Sequence, residues 1–64
     1  MKHSDFQAWV NKRKADGMAE YQLATMLGCA PNSVVRWKRI DPPPYIGLAI
    51  AALEAGLKPW QSGR

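Results

Sequence analysis

The side chains able to do acid–base, nucleophilic or metal chemistry in this chain are few and isolated. There is one histidine, His3, and one cysteine, Cys29. His3 sits close to the start, where a frayed terminus is expected, and no Ser/His/Asp or paired-carboxylate arrangement accompanies it. Cys29 has no second cysteine and no nearby histidine, so it cannot assemble a zinc site and reads as core. With 64 residues, a deep cleft for both cofactor and substrate is hard to build. The expectation is therefore a protein that is not an enzyme and has no metal, cofactor or small-molecule ligand.

Charge supplies the first positive indication. Nine Lys and Arg against five Asp and Glu leave a net charge of +4, which favours an anionic partner, nucleic acid or a lipid surface. The run Lys12-Arg13-Lys14 is either a solvated helix face or a phosphate contact, and spacing alone leaves both open. A single cysteine cannot form an intramolecular disulfide, which points to a reducing compartment and hence the cytoplasm. Met1 to Asp5 leads into a polar stretch without the apolar run of a signal peptide. The most apolar segment, Tyr45 to Leu57, falls short of the roughly 20 residues of a membrane span and contains Glu54.

Helical periodicity organises the rest. Ser4 and Gln7 have the spacing of a capping box, and Asp5 suits the first turn of a helix. Phe6, Trp9, Val10 and Arg13 follow at i, i+3, i+4 and i+7, which predicts a first helix over about Asp5–Ala15 closed by Gly17. A second helix starts near Ala19 or Glu20, carries Leu23, Ala24 and Leu27, and ends at Gly28 as a left-handed cap. Pro31 opens a third helix with Val34 and Trp37 on one face; Pro42, Pro43 and Pro44 forbid its passing Asp41. Pro44 opens a fourth, over about 44–55, with Ile46, Ala49, Ile50 and Leu53 as its stripe. Leu48 and Ala52 make that helix apolar on more than one side, and Gly56 stops it. The tail, 57–64, carries Trp60. Phe6, Trp9 and Trp37 are expected in the core. The whole is one all-α domain of four helices.

The segment from Gly17 to Arg39 holds two helices joined by a turn around Gly28, Cys29 and Ala30, the spacing of a helix-turn-helix. Ala24 is small enough for close helix packing, and Leu23, Leu27, Val34 and Trp37 would lock the pair so that the third helix protrudes. The stretch with its Leu23-Ala24 pair, Leu27-Gly28, Val34 and Arg36-Trp37 resembles the helix-turn-helix of the Cro/repressor, or XRE-type, regulators. The match is strong over Gly17 to Arg39, with the helix-turn-helix unit at about 19–39, and weaker over the rest, where the first and fourth helices also fall as in such domains. Small basic regulators of phages and mobile elements look most like it, including autoregulators that accompany anti-CRISPR genes.

The resemblance implies a compact lambda-repressor-like domain whose third helix enters the major groove of double-stranded DNA. On that helix it implies that Asn32 and Arg36, one turn apart, contact base edges, adenine and guanine being their bidentate partners. Ser33 is placed for phosphate or base, Val35 for a thymine methyl, and Lys38 and Arg39 for phosphate. Pro31 stands where a polar contact residue is common, and Gln22 in the second helix completes the DNA-binding set. Three departures stand out. Ala19 and Glu20 replace the usual hydroxyl cap and glutamine that grip phosphate, and Glu20 would repel phosphate unless it turns away. The ion pair that relatives form between helix one and the residue after the helix-three aromatic is expected to be absent, because Arg13 would face Lys38.

Most relatives bind two half-sites as two-fold dimers, so a homodimer is expected, with helix four, Leu57 and Trp60 as its surface. The expected function is a transcriptional regulator, a repressor or autoregulator at an inverted-repeat operator. The alternative is a protein–protein interaction module, adaptor or antitoxin, that keeps the fold without specific DNA binding.

Overall fold

The computed structural model describes residues 1–58 together with Trp60 and Ser62. The expected tail of 57–64 therefore lies partly outside the described residues, which omit Pro59, Gln61, Gly63 and Arg64. Four α-helices account for the architecture: α1 (His3–Ala15), α2 (Glu20–Leu27), α3 (Pro31–Trp37) and α4 (Pro44–Glu54). The fold is all-α, with no strand among the described residues. No helix there is long and apolar enough to cross a membrane.

Three helices end by one device. The amides of Gly28 and Cys29 donate to the carbonyls of Thr25 and Ala24 at 3.2 and 2.9 Å, the paired bonds of a Schellman motif. Gly17 with Met18 closes α1 in the same way, and Gly56 with Leu57 closes α4. At Gly28 the backbone is left-handed, with φ of 74°, where a Cβ would crowd the following carbonyl. The starts of α3 and α4 follow from Pro31 and Pro44 at the first helical turn.

The beginning of α1 differs from expectation. No capping box forms between Ser4 and Gln7: the helix starts at His3 with Lys2 as its N-cap and no side-chain cap at that position. The amide of His3 instead donates to Asp41 Oδ1 at 2.8 Å, and His3 Nδ1 lies 2.8 Å from the same oxygen. A carboxylate from beyond α3 thus does the capping, and His3 is anchored in the helix rather than frayed. Both side chains are exposed, so this contact adds little net stability in water.

The core draws on every helix. Phe6, Trp9 and Val10 of α1 meet Leu23 and Ala24 of α2, Val34 and Trp37 of α3, and Ile46 and Ile50 of α4. Leu27, Leu53 and Cys29 pack against its edge, half-buried. Ala24 is almost fully buried, as close approach of α2 to α3 requires. On α4 the stripe buries Ile46 and Ile50, whereas Leu48 is 73% exposed. Glu54 joins α4 to α1: its Oε1 accepts from Trp9 Nε1 at 3.0 Å, and its Oε2 accepts from Arg13. Arg13 also reaches Asp16 at 3.4 Å. Arg13 is thus paired with Asp16, just past α1, and with Glu54 of α4 rather than standing opposite Lys38, whose partner is Glu20.

Replacing Gly28 by Ala keeps open space around the new Cβ, so its cost is backbone strain alone, about 1 kcal/mol. Thermal unfolding followed by circular dichroism is expected to show a Tm lower by roughly 4–8 °C for a domain of this size. Asn at the same position tolerates the left-handed region and is expected to lose less.

Candidate nucleic-acid interface

The face of α3 opposite the core is set by Val34 and Trp37, which are 0% and 9% exposed and lie three residues apart. With those two inward, helical geometry sends Asn32 and Arg36 outward, and Arg39 follows in the turn after α3. All three are exposed, and Val35 beside them is 48% exposed. Asn32, Val35, Arg36, Arg39 and Ile40 line one open depression of about 450 Å³. Among the described residues, no side-chain hydrogen bond or ion pair engages Asn32, Arg36 or Arg39. One surface therefore carries an amide and two guanidiniums with their hydrogen-bonding capacity unspent, interleaved with two apolar side chains.

The remaining candidates do not line this depression. Pro31 is exposed at the start of α3, and Ser33 is half-buried on its flank. Gln22 is exposed on α2, where its Oε1 accepts from the amide of Ala19 at 2.8 Å. That bond is half a capping box; Ala19, having no polar side chain, cannot supply the other half. The Gln22 amide nitrogen retains its donors.

Lys38 stands apart from the set. Its Nζ donates to Glu20 Oε2 at 2.9 Å, and Lys14 Nζ, from the last turn of α1, reaches the same oxygen at 3.2 Å. The question of where Glu20 turns is thereby answered: its carboxylate bridges the C-terminal end of α3 and the C-terminal turn of α1. The hydrogen bond from Lys38 is the main reason that the Glu20 carboxyl is held below the ordinary glutamate range; partial burial opposes it and Lys14 adds to it.

No protein-family model, curated protein or solved structure matches the chain. The site must be read from its own chemistry.

Among the described residues no three His, Cys, Asp or Glu side chains gather to hold a metal ion. Burial pushes the Cys29 thiol up, which disfavours the thiolate that a nucleophile needs. Two features escaped the sequence reading. Ile40, 63% exposed, borders the depression, and its spacing of four from Arg36 would have identified it. The Glu20 bridge pairs residues 18 positions apart along the chain, a distance at which local periodicity carries no signal.

The depressed Glu20 carboxyl makes stability depend on acid. A group whose native pKa is lowered contributes stability that is full above its unfolded value and lost as pH falls through the native one. Denaturant midpoints measured as the pH falls from about 5 toward 2 are expected to decline, and Glu20→Gln should flatten part of that decline. Asp41 is also lowered by its bonds with His3, but both groups are exposed, so Asp41→Asn should flatten the decline only slightly.

Proposed function

We propose that this protein is a sequence-specific DNA-binding regulator of the Cro/repressor-like kind, which inserts α3 into the major groove. The observation that carries the reading is the pair Asn32 and Arg36. They are exposed, unengaged and one turn apart on a helix whose opposite side is buried. An Asn amide matches the paired donor and acceptor of adenine, and a guanidinium matches the two acceptors of guanine. Val35 and Ile40 offer apolar contact for a thymine methyl, and Arg39 with Gln22 can meet the flanking phosphates. The net charge of +4 agrees in sign. Occupancy of a promoter by such a domain represses it, and autoregulation at an inverted repeat is the arrangement we favour.

One short helix reads few base pairs, so a second copy is part of the proposal. Exposed apolar side chains on and after α4 support it: Tyr45, Leu48, Leu57 and Trp60 are 62%, 73%, 62% and 87% exposed. A cavity of about 220 Å³ lined by Met26, Leu27, Ala49, Ala52, Leu53, Leu57 and Lys58 continues this apolar ground.

A second reading, a protein-binding module that has kept the fold, is favoured by one observation. The carboxylate of Glu20 stands at the start of α2, where an anionic backbone would be repelled. Such a module binds a partner protein tightly and shows no salt-sensitive affinity for DNA.

Fluorescence anisotropy with DNA flanking the protein's own gene, against a scrambled duplex, separates the two. Asn32→Ala and Arg36→Ala are each expected to reduce discrimination by roughly 1–3 kcal/mol, five- to more than a hundredfold; Asn32→Ala should change scrambled-probe binding little, and Arg36→Ala should weaken it through its lost charge. Specific binding left intact by both substitutions would sink the assignment of the reading face.

A further inference from the structure

We infer that Glu20 is a phosphate surrogate built into the fold, whose carboxylate engages Lys38 and Lys14 and so holds DNA affinity down. The inference rests on the DNA-binding reading above and names what sets the strength of its sequence-independent part. Two ammonium groups lie 2.9 and 3.2 Å from one carboxylate oxygen. Lys38 and Glu20 are about a quarter exposed at 26% and 25%, while Lys14 is 51% exposed. The cluster is therefore at the surface and reachable by a nucleic-acid backbone, but its acceptor position is already filled from within.

Lys38 directly precedes Arg39, which borders the open depression on α3. A DNA strand engaged there would reach the Glu20 bridge if it continued past the end of α3, where Lys38 is anchored. At that point a phosphate meets two lysines sharing one internal anion instead of two free cations. To gain either amine it must displace the carboxylate or accept its repulsion. Counterion release depends on the number of cations available to phosphate, so Glu20 subtracts from both affinity and salt dependence.

The test uses the full chain and a fluorescein-labelled duplex of mixed sequence, because phosphate contacts carry no sequence information. Relative to wild type, Glu20→Gln is expected to bind roughly fivefold more tightly, the worth of one surface ion pair at its upper end. The slope of log K against log salt should steepen by about 0.9 for each lysine released. Asp5→Asn raises the net charge equally at an exposed residue of α1 and is the control for a generic charge effect. Lys38→Gln should cost more affinity in the Glu20→Gln background than in the wild type. That comparison, with melting curves for each variant, keeps the inference open to refutation if Glu20→Gln alone is less stable.

Equal gains from Glu20→Gln and Asp5→Asn would overturn the inference, as would a folded Glu20→Gln variant that binds no better. A Lys38→Gln loss as large in wild type as in the Glu20→Gln background would overturn it too. In each case wild-type binding survives, and with it the DNA-binding reading. No salt-sensitive binding by either protein at low salt would instead remove the reading and the inference together.

Discussion

Phe6 is the contact on which the arrangement of this small protein depends. Its ring is fully buried and meets Trp37 edge-on, with centroids 5.8 Å apart and planes at 86°. Trp9 lies against it at 6.0 Å, tilted by 42°. Aromatic pairs in such geometries gain more than their area alone, and a domain this short has few other large side chains to share the task. The Phe6–Trp37 contact also fixes rotation. Because Trp37 belongs to α3, docking its ring on α1 determines which side of α3 is left outside, and Asn32 and Arg36 are on that side. Stability and candidate recognition are thus joined through one residue at the end of the helix.

The charged groups on the surface do a different kind of work. Glu54 collects Trp9 and Arg13, and Glu20 collects Lys38 and Lys14. Each carboxylate connects elements that the hydrophobic core already brings together, and exposed pairs of this sort contribute little to net stability. Their larger effect is on which cations remain available. Arg36 and Arg39 are left without internal partners among the described residues, whereas Arg13, Lys14 and Lys38 are engaged. Arg36 and Arg39 are neighbours on the outward side of α3 and the turn after it, while Lys2 and Lys58, also without internal partners among the described residues, lie elsewhere in the chain.

Much of this was legible in the sequence because it is local. Gly17, Gly28 and Gly56 mark helix ends, Pro31 and Pro44 mark starts, and the spacing of Phe6, Trp9 and Val10 marks an inward face. All act within a turn or two of themselves. The capping of α1 was misread for the complementary reason. Ser4 and Gln7 satisfy the local rule, but Asp41 reaches His3 from 38 residues away, and tertiary placement overrode the propensity. Likewise the outward side of α3 followed from Val34 and Trp37, whereas the commitment of Lys38 to Glu20 required knowing that the start of α2 lies beside the end of α3.

The prolines between α3 and α4 have a consequence beyond ending one helix and opening the next. Pro42, Pro43 and Pro44 have no amide hydrogens, and their rings fix φ before any tertiary structure exists. All peptide bonds here are trans. A chain restricted in this way has fewer conformations to surrender on folding. The connection between α3 and α4 is thus stiffened in advance, and less backbone entropy is lost when Ile46 reaches the core.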